Sequence, residues 1–137
     1  MTFMNNTAVV CDGASVRALC RQLATVVTVK GEVGNNNIDQ IASYVNRFIL
    51  AEKPLVLDLS GVNTFVPQAI SLFYDIDERC DELGVDWTVI MSRSVATTAR
   101  QQQLDVPCSA SVPEALHHFA EDNTARRRLL PLLTKSA

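Results

Sequence analysis

The sequence lacks an excess of basic residues and lacks long apolar runs. Its twelve Lys and Arg residues are outnumbered by fifteen Asp and Glu residues, which gives a formal net charge of −3. Because contact with phosphates requires a basic face, this balance argues against nucleic acid as the main partner. No apolar run approaches the roughly 20 residues that span a bilayer, and the first residues lack the basic and apolar regions of a signal peptide. The sequence therefore predicts a cytoplasmic protein.

Motifs of common enzymes and metal sites are also missing. Residues 31–34 contain two Gly but not the spacing of a phosphate-binding loop, and no Gly-x-Ser-x-Gly elbow is present. The adjacent His117 and His118 point to different sides of a helix, so they cannot chelate one metal ion as an i, i+4 pair could. The sequence predicts a protein that is not an enzyme and that uses no metal or cofactor.

Cysteine is scarce, with four residues and no CxxC pair. This pattern excludes a disulfide scaffold and argues against zinc and thioredoxin-like chemistry. Cys11, Cys20 and Cys80 fall in or near predicted strands and helices and are expected to be buried. Cys108 follows Pro107 in a connection and is the candidate for a redox role, because reactivity needs exposure. A structural role is favoured, since free cysteine mostly behaves as a small hydrophobic residue.

The remaining composition is that of one ordinary globular domain, in which strand-like and helix-like segments alternate. The segment 24–33 is rich in β-branched residues and predicts a strand that closes at Gly31. Before it, Thr7 to Val10 could form an edge strand, and 16–23 fits either a strand or a short helix. Apolar spacing predicts a helix from Ile38 to Ile49. Leu55 to Leu59 is typical of a buried strand, followed by a connection from Ser60 to Val66. Pro67 is well placed as the first residue of a helix that stops at Gly84.

The C-terminal third continues the alternation. It contains a strand at 86–91, a helix that Ser94 could cap, and a capping box with Pro at 111–114. Regular alternation predicts an α/β domain with a mixed, mostly parallel sheet of four to five strands and helices packed against it. This domain is expected over residues 1–123, with residues 124–137 as a basic and apolar tail.

The tail combines Arg126, Arg127 and Arg128 with the run Leu-Leu-Pro-Leu-Leu. Such a segment could contact an anionic surface or a groove on a partner. Three charges supply about 3 kcal/mol at an anionic membrane, which is too little for stable anchoring. A loose tail without a membrane anchor is the favoured interpretation.

Four short motifs, in the right order, resemble those of STAS domains, the family of bacterial anti-sigma factor antagonists and of sulfate-transporter tails. The segment 55–62, Leu-Val-Leu-Asp-Leu-Ser-Gly-Val, resembles the first half of the family signature, an apolar strand leading into Asp-Leu-Ser-x-Val. The segments 31–33, 83–85 and 111–116 resemble three further family motifs. The resemblance is strongest over residues 20–120 and implies a STAS-like fold.

The second half of the signature departs from the family. In ungapped register the family's Asp becomes Val66, its phosphorylatable Ser becomes Pro67, and the next Ser becomes Gln68. Gly34 also stands where the family often has Asp. Pro67 has no hydroxyl to phosphorylate and no N–H to donate, so the comparison implies that phosphorylation at the usual position is absent. Thr64 and Ser71 are the neighbouring hydroxyls and the candidates for a displaced site.

The resemblance implies a non-enzymatic interaction module similar to an anti-sigma factor antagonist. It would bind an anti-sigma factor of the serine-kinase type and thereby release a sigma factor. The alternatives are a STAS domain that senses a nucleotide or a lipid, and an interaction protein tuned by cysteine oxidation; a homodimer is also left open. Phe65 could either fill the core or face the partner. The candidate partner-binding residues are Asp58, Ser60, Thr64, Phe65, Val66, Pro67, Gln68 and Ser71.

Overall fold

A five-stranded mixed sheet forms the centre of the protein. The computed structural model describes residues 8–121, so the tail at 124–137 and the domain's ends at 1 and 123 lie outside the described residues. The strands are β1 (Val9–Cys11), β2 (Ala14–Cys20), β3 (Thr25–Val33), β4 (Leu55–Phe65) and β5 (Trp87–Met91). They follow one another across the sheet in chain order, with antiparallel β1–β2 and β2–β3 pairs and parallel β3–β4 and β4–β5 pairs. The predicted α/β class and mixed sheet are confirmed.

The helices connect and cover the parallel strands. They are α1 (Ile38–Arg47), α2 (Ser71–Leu83), α3 (Arg93–Gln101) and α4, the last described helix, at residues 112–121. A 3-10 helix, Pro67–Ile70, leads directly into α2. Within residues 8–121 no helix combines the length and apolar character that crossing a membrane requires.

The N-terminal strands form a hairpin whose backbone approaches β3 closely. The segment left open as strand or helix is the strand β2, paired along its whole length with β3. The prediction that β3 ends at Gly31 is wrong, because the strand continues to Val33 with an irregular register around Gly31. Gly31 has φ of 103°, and a Cβ built on it would lie 2.4 Å from the carbonyl oxygen of Gly13. Only glycine fits this close approach.

β4 is about twice as long as the sequence predicts. The expected connection from Ser60 to Val66 is wrong, because β4 continues to Phe65 and remains paired with β3. Several side chains in this extension are exposed, so it lacks the apolar character that marks Leu55 to Leu59 as a strand. Backbone hydrogen bonding to β3 holds it extended, and this pairing is not visible in side-chain patterning.

The two faces of the sheet carry separate cores. The larger core lies beneath α1, α2 and α3 and includes Leu57, Phe73 and Val95. The smaller core lies beneath α4, where Ala115 and Phe119 pack on Val56 and its neighbours. Alternating β4 residues therefore serve opposite faces, as the two-residue period of a strand requires.

The caps of the last two helices fix where each begins. Ser92, not the predicted Ser94, caps α3, because its Oγ accepts a hydrogen bond from the Val95 N–H at 3.2 Å. The serine half of the predicted capping box is confirmed at α4, where Ser111 Oγ accepts from the Glu114 N–H at 3.2 Å. The Glu114 carboxylate accepts from the N–H of Ala110 at 3.0 Å, one residue before the position that a capping box requires. The bond to Ser111 satisfies an amide that the first helical turn leaves free.

Candidate functional site

Pro67 begins a helix at the point where β4 leaves the sheet. Val66 is extended, with φ −71° and ψ 156°, and Pro67 is the first residue of the 3-10 helix. Proline suits this position because its fixed φ matches the helix and its missing N–H would have no intrahelical partner. Its ring also favours the extended conformation of the preceding residue. The local sequence therefore dictates a sharp strand-to-helix corner.

The side chains around this corner form an exposed surface. Thr64, Pro67, Gln68 and Ser71 are exposed, and Val66 is half-buried. We call these five residues the proline surface. It contains no formal charge, and both of its hydroxyl groups are accessible.

Tyr74 extends the proline surface along α2 and was missed in the sequence analysis. It is one of the large apolar side chains that remain exposed, at 60%. It lies one helical turn beyond Ser71, so both residues share a face of α2. The three-residue spacing from Ser71 was the signal that could have identified it.

Phe65 fills the core and does not face outward, so the first of the two interpretations of this residue holds. It is only 5% exposed, and its ring centroid lies 5.6 Å from that of Phe73. Aromatic pairs at this separation add to the stability that burial provides. Phe65 therefore supports the proline surface from below and is not available for direct contact.

The two positions that lack the family's Asp residues lie side by side. A Cβ built on Gly34 would be 3.8 Å from Cγ1 of Val66, and the Val66 N–H donates to the carbonyl of Val33 at 3.2 Å. Because β3 and β4 are parallel, their carboxyl ends meet at this edge of the sheet. The chain places no carboxylate at either position.

Asn37 holds the loop that carries Gly34. Its side-chain amide donates to the carbonyls of Cys11 and Glu32, each at 2.8 Å, and to that of Asp12 at 3.1 Å. Its Oδ1 accepts from the Gly34 N–H at 2.9 Å, and the residue is 1% exposed. A single side chain thus joins the β1–β2 hairpin, the end of β3 and the loop before α1.

Two hydroxyl groups of α3 donate hydrogen bonds to backbone carbonyls near the end of β4. Thr98 Oγ1 donates to the carbonyl of Phe65, and Ser94 Oγ donates to that of Asn63, each at 2.8 Å. The bond from Thr98 is buried and the bond from Ser94 is exposed. Ser94, predicted as a helix cap, therefore anchors the strand instead.

We expect Thr98→Val to lower the free energy of unfolding by about 1–3 kcal/mol, because it leaves the buried carbonyl of Phe65 without its donor. Thr97→Val is the matched control. Thr97 is exposed, and its hydroxyl bonds only to the carbonyl of Arg93 in its own helix, so a change below about 0.5 kcal/mol is expected. Urea denaturation measures both values. Equal losses in the two variants would contradict the role given to Thr98.

Asp58 and Ser60 lie apart from the proline surface. The Asp58 carboxylate accepts from the Ser60 N–H at 3.0 Å and from its hydroxyl at 2.7 Å. Asp58 lies two residues after Val56 in β4, and side chains two residues apart in a strand point to the same face of the sheet. Because Val56 packs beneath α4, the Asp58 side chain is on the sheet face opposite α2. The structure places Val66, Pro67, Gln68 and Ser71 in sequence around the corner, with Thr64 exposed near the end of β4, and it places Asp58 and Ser60 earlier in that strand.

The four cysteines are free, with Cys11 and Cys80 buried and Cys20 and Cys108 exposed. The expected burial of Cys20 is wrong, because the residue ends β2 with its side chain in solvent. Burial raises the pKa of the Cys80 thiol to about 12, and the carboxylates of Asp77 and Asp86 add to this effect. Burial and the nearby Asp105 also raise the pKa of Cys108. Because the thiolate is the reactive form, this environment suppresses the redox chemistry of Cys108.

We expect Cys108 to react with iodoacetamide at pH 8 more slowly than N-acetylcysteine amide, a reference thiol without a carboxylate. A raised pKa reduces the thiolate fraction at every pH below it, so the difference in rate should narrow as the pH rises through both pKa values. Mass spectrometry of the peptide that contains Cys108 follows the rate, with Cys108→Ser as the blank. A rate equal to or above that of N-acetylcysteine amide at pH 8 would reinstate Cys108 as a redox candidate.

A groove of about 740 Å³ lies away from the proline surface, between the end of α2, the start of β5 and α4. Five carboxylates line it, those of Asp77, Asp81, Asp86, Glu114 and Glu121. His117 and His118 also line it, and both are exposed. Within residues 8–121 no group of three or more His, Cys, Asp or Glu side chains is arranged to hold a metal ion.

The family follows from comparison with known proteins. A profile of the STAS domain matches residues 15–115, which is most of the chain. The chain belongs to the STAS domain family. Osmosensory protein A of Mycobacterium tuberculosis is 40% identical over 139 residues, a match that covers 96% of this chain and 88% of that protein.

Solved structures confirm the STAS fold. An anti-sigma factor antagonist from Mycobacterium paratuberculosis superposes with a TM-score of 0.66 at 17% identity, covering 80% of this chain and 96% of that one. The anti-sigma factor antagonist SpoIIAA in its unphosphorylated form gives 0.66 at 12% identity, covering 77% and 96%. At these identities the similarity establishes the fold and not the function.

Proposed function

We propose that this STAS domain is a non-enzymatic interaction module of the cytoplasm that acts as an anti-sigma factor antagonist. It binds a serine-kinase-type anti-sigma factor and so releases the sigma factor that the latter holds. Binding uses the proline surface, and no phosphorylation occurs at the family position. The observation that supports this proposal most directly is the exposed, uncharged strand-to-helix corner at Pro67.

The corner is suited to protein contact because it is exposed and rigid at once. Thr98 holds the carbonyl of Phe65 just before the corner, Asn37 holds the end of the neighbouring strand β3, and the Phe65 ring supports the corner from the core. A surface that is already ordered loses little conformational entropy when a partner binds. Tyr74 adds an exposed aromatic ring at one end, and aromatic residues contribute strongly at interfaces.

The absence of a phosphorylation switch rests on three neighbouring positions. Pro67 offers no hydroxyl, and the adjoining Val66 and Gly34 offer no carboxylate. Thr64 and Ser71 are exposed, but neither is at the first position of a helix that follows an extended residue. We infer that the partner is engaged independently of ATP.

Titration calorimetry of the purified protein against each serine-kinase-type anti-sigma factor of its host tests this proposal, in ADP and in ATP. The expected result is micromolar or tighter binding that ATP leaves unchanged, with no added phosphate in the intact mass. Binding that fades with ATP as phosphate appears on Thr64 or Ser71 would overturn the ATP-independent mode. No binding to any of these proteins would overturn the antagonist proposal.

The two alternatives find less support in the structure. The groove is lined by five carboxylates, and none of its described lining residues is Lys or Arg, which disfavours a nucleotide phosphate there. The raised pKa of the Cys108 thiol disfavours redox tuning. A shift in melting temperature with ATP, GTP or a lipid, in the absence of anti-sigma binding, would favour the sensing alternative.

A further inference from the structure

The acidic groove on the side of the protein that carries α4 is not used by the proposed function. Its walls come from α2, from the start of β5, from the segment before α4 and from α4 itself. Some of its carboxylates have partners: Asp77 accepts from the Trp87 indole N–H at 3.0 Å, Glu114 accepts from the Ala110 N–H at 3.0 Å, and Glu121 lies 3.6 Å from His117 Nε2. The groove nevertheless concentrates negative charge, since its lining residues within 8–121 include five carboxylates and no lysine or arginine.

The same carboxylates act on the buried thiol of Cys80, and apolar side chains lie beside them. The carboxylates of Asp77 and Asp86 both act to raise the pKa of Cys80, in addition to the effect of its burial. Apolar side chains complete the lining, among them Val85, Pro107 and Phe119. The groove is therefore complementary to a segment that carries both positive charge and aliphatic side chains.

The chain itself supplies such a segment directly after the groove. Residues 124–137 carry Arg126, Arg127, Arg128 and Lys135 with no acidic residue, and the arginines are followed by Leu-Leu-Pro-Leu-Leu. Glu121 lines the groove, and Arg126 follows it by five residues, a reach of at most about 18 Å at 3.3–3.6 Å per residue. The charges are opposite in sign and the connection is short.

We propose that the acidic groove is the docking site for the chain's own segment 126–133, with the three arginines against the groove's carboxylates and the leucines against its apolar residues. Single exposed ion pairs are weak, but a short tether provides an effective concentration on the order of millimolar. Several weak contacts then suffice for occupancy.

Paramagnetic relaxation in the full-length protein tests the docking. A nitroxide is attached at Thr134→Cys in a background with Cys20→Ser and Cys108→Ser, because these are the exposed thiols. We expect the label to abolish the amide signals of groove residues such as Ser109 and His118. The amide signal of Ser43 on α1 should remain, because α1 lies on the opposite face of the sheet from α4.

Three further samples decide the origin of the signal loss. Arg126→Glu, Arg127→Glu and Arg128→Glu together should restore the groove signals, and so should 1 M NaCl, which shortens the Debye length to about 3 Å. A mixture of spin-labelled and isotope-labelled copies should show no loss. Intact groove signals in the labelled protein, a loss that survives charge reversal, or a loss in the mixture would each overturn docking of the chain's own segment.

Discussion

Asn37→Ala is expected to lower the free energy of unfolding by about 3–4 kcal/mol. The substitution removes the donors for three backbone carbonyls and the acceptor for the Gly34 N–H. Each buried polar group that loses its partner costs about 1–3 kcal/mol, less where water can replace the bond. The loss is large because one side chain serves two segments that are distant in sequence.

The neighbouring Asn36 is the matched control. It is exposed and makes one long hydrogen bond, 3.4 Å from its Nδ2 to the carbonyl of Asp12. Asn36→Ala should therefore change stability by less than about 1 kcal/mol. Urea denaturation measures the free energy of unfolding of both variants, and an unchanged dependence of that free energy on urea concentration shows that they unfold in the same way. Similar losses for the two substitutions would contradict the central position given to Asn37.

Pro67→Glu is expected to weaken binding of the anti-sigma factor about thirtyfold, equivalent to about 2 kcal/mol. The reason is that a carboxylate buried in an interface without a partner loses its hydration. Folding should be little affected. A carboxylate in the first turn of a helix is favourable by about 0.3–1 kcal/mol, which offsets the similar cost of losing proline's restriction of the unfolded chain.

Gln22→Glu provides the control for net charge. Gln22 is exposed and lies just before β3 starts, at the end of the sheet opposite Pro67. This variant adds the same charge but should bind as the unmodified protein does. Calorimetry gives the affinities, and thermal unfolding confirms that both variants are folded. Equal affinity for Pro67→Glu and the unmodified protein would show that the partner contacts another surface.

The parts of the fold that the sequence predicts are those encoded by local patterns. Four local features form as expected: the apolar face from Ile38 to Val45, the helix start at Pro67, the helix end at Gly84 and the helix cap at Ser111. Each depends on residues within a few positions of one another, so periodicity and capping chemistry are sufficient to predict them.

The errors occur where distant segments decide the outcome. The extension of β4 depends on pairing with β3, and the choice of Ser92 over Ser94 as the cap of α3 depends on where β5 ends. The side chain of Asn37 reaches carbonyls about 25 residues earlier in the chain. Such contacts leave no trace in a local pattern.

The candidate site divides in the same way. The replacement of the family's phosphorylatable Ser by Pro67, and the changes beside it, can be identified from the signature segment alone. The burial of Phe65, and the position of Asp58 on the sheet face opposite α2, depend on which helices pack on each side of β4. Tyr74 joins the surface only because the 3-10 helix continues into α2 without a break.

Mapping of amide chemical shifts shows whether the proline surface contacts the anti-sigma factor. The isotope-labelled, full-length protein is titrated with the unlabelled anti-sigma factor in ADP. We expect the signals of Thr64, Gln68, Ser71 and Tyr74 to shift or broaden first, while those of Gln22 and Ser109 stay in place. Shifts confined to the acidic groove, or an unchanged spectrum at saturating partner, would show that the proline surface is not the contact.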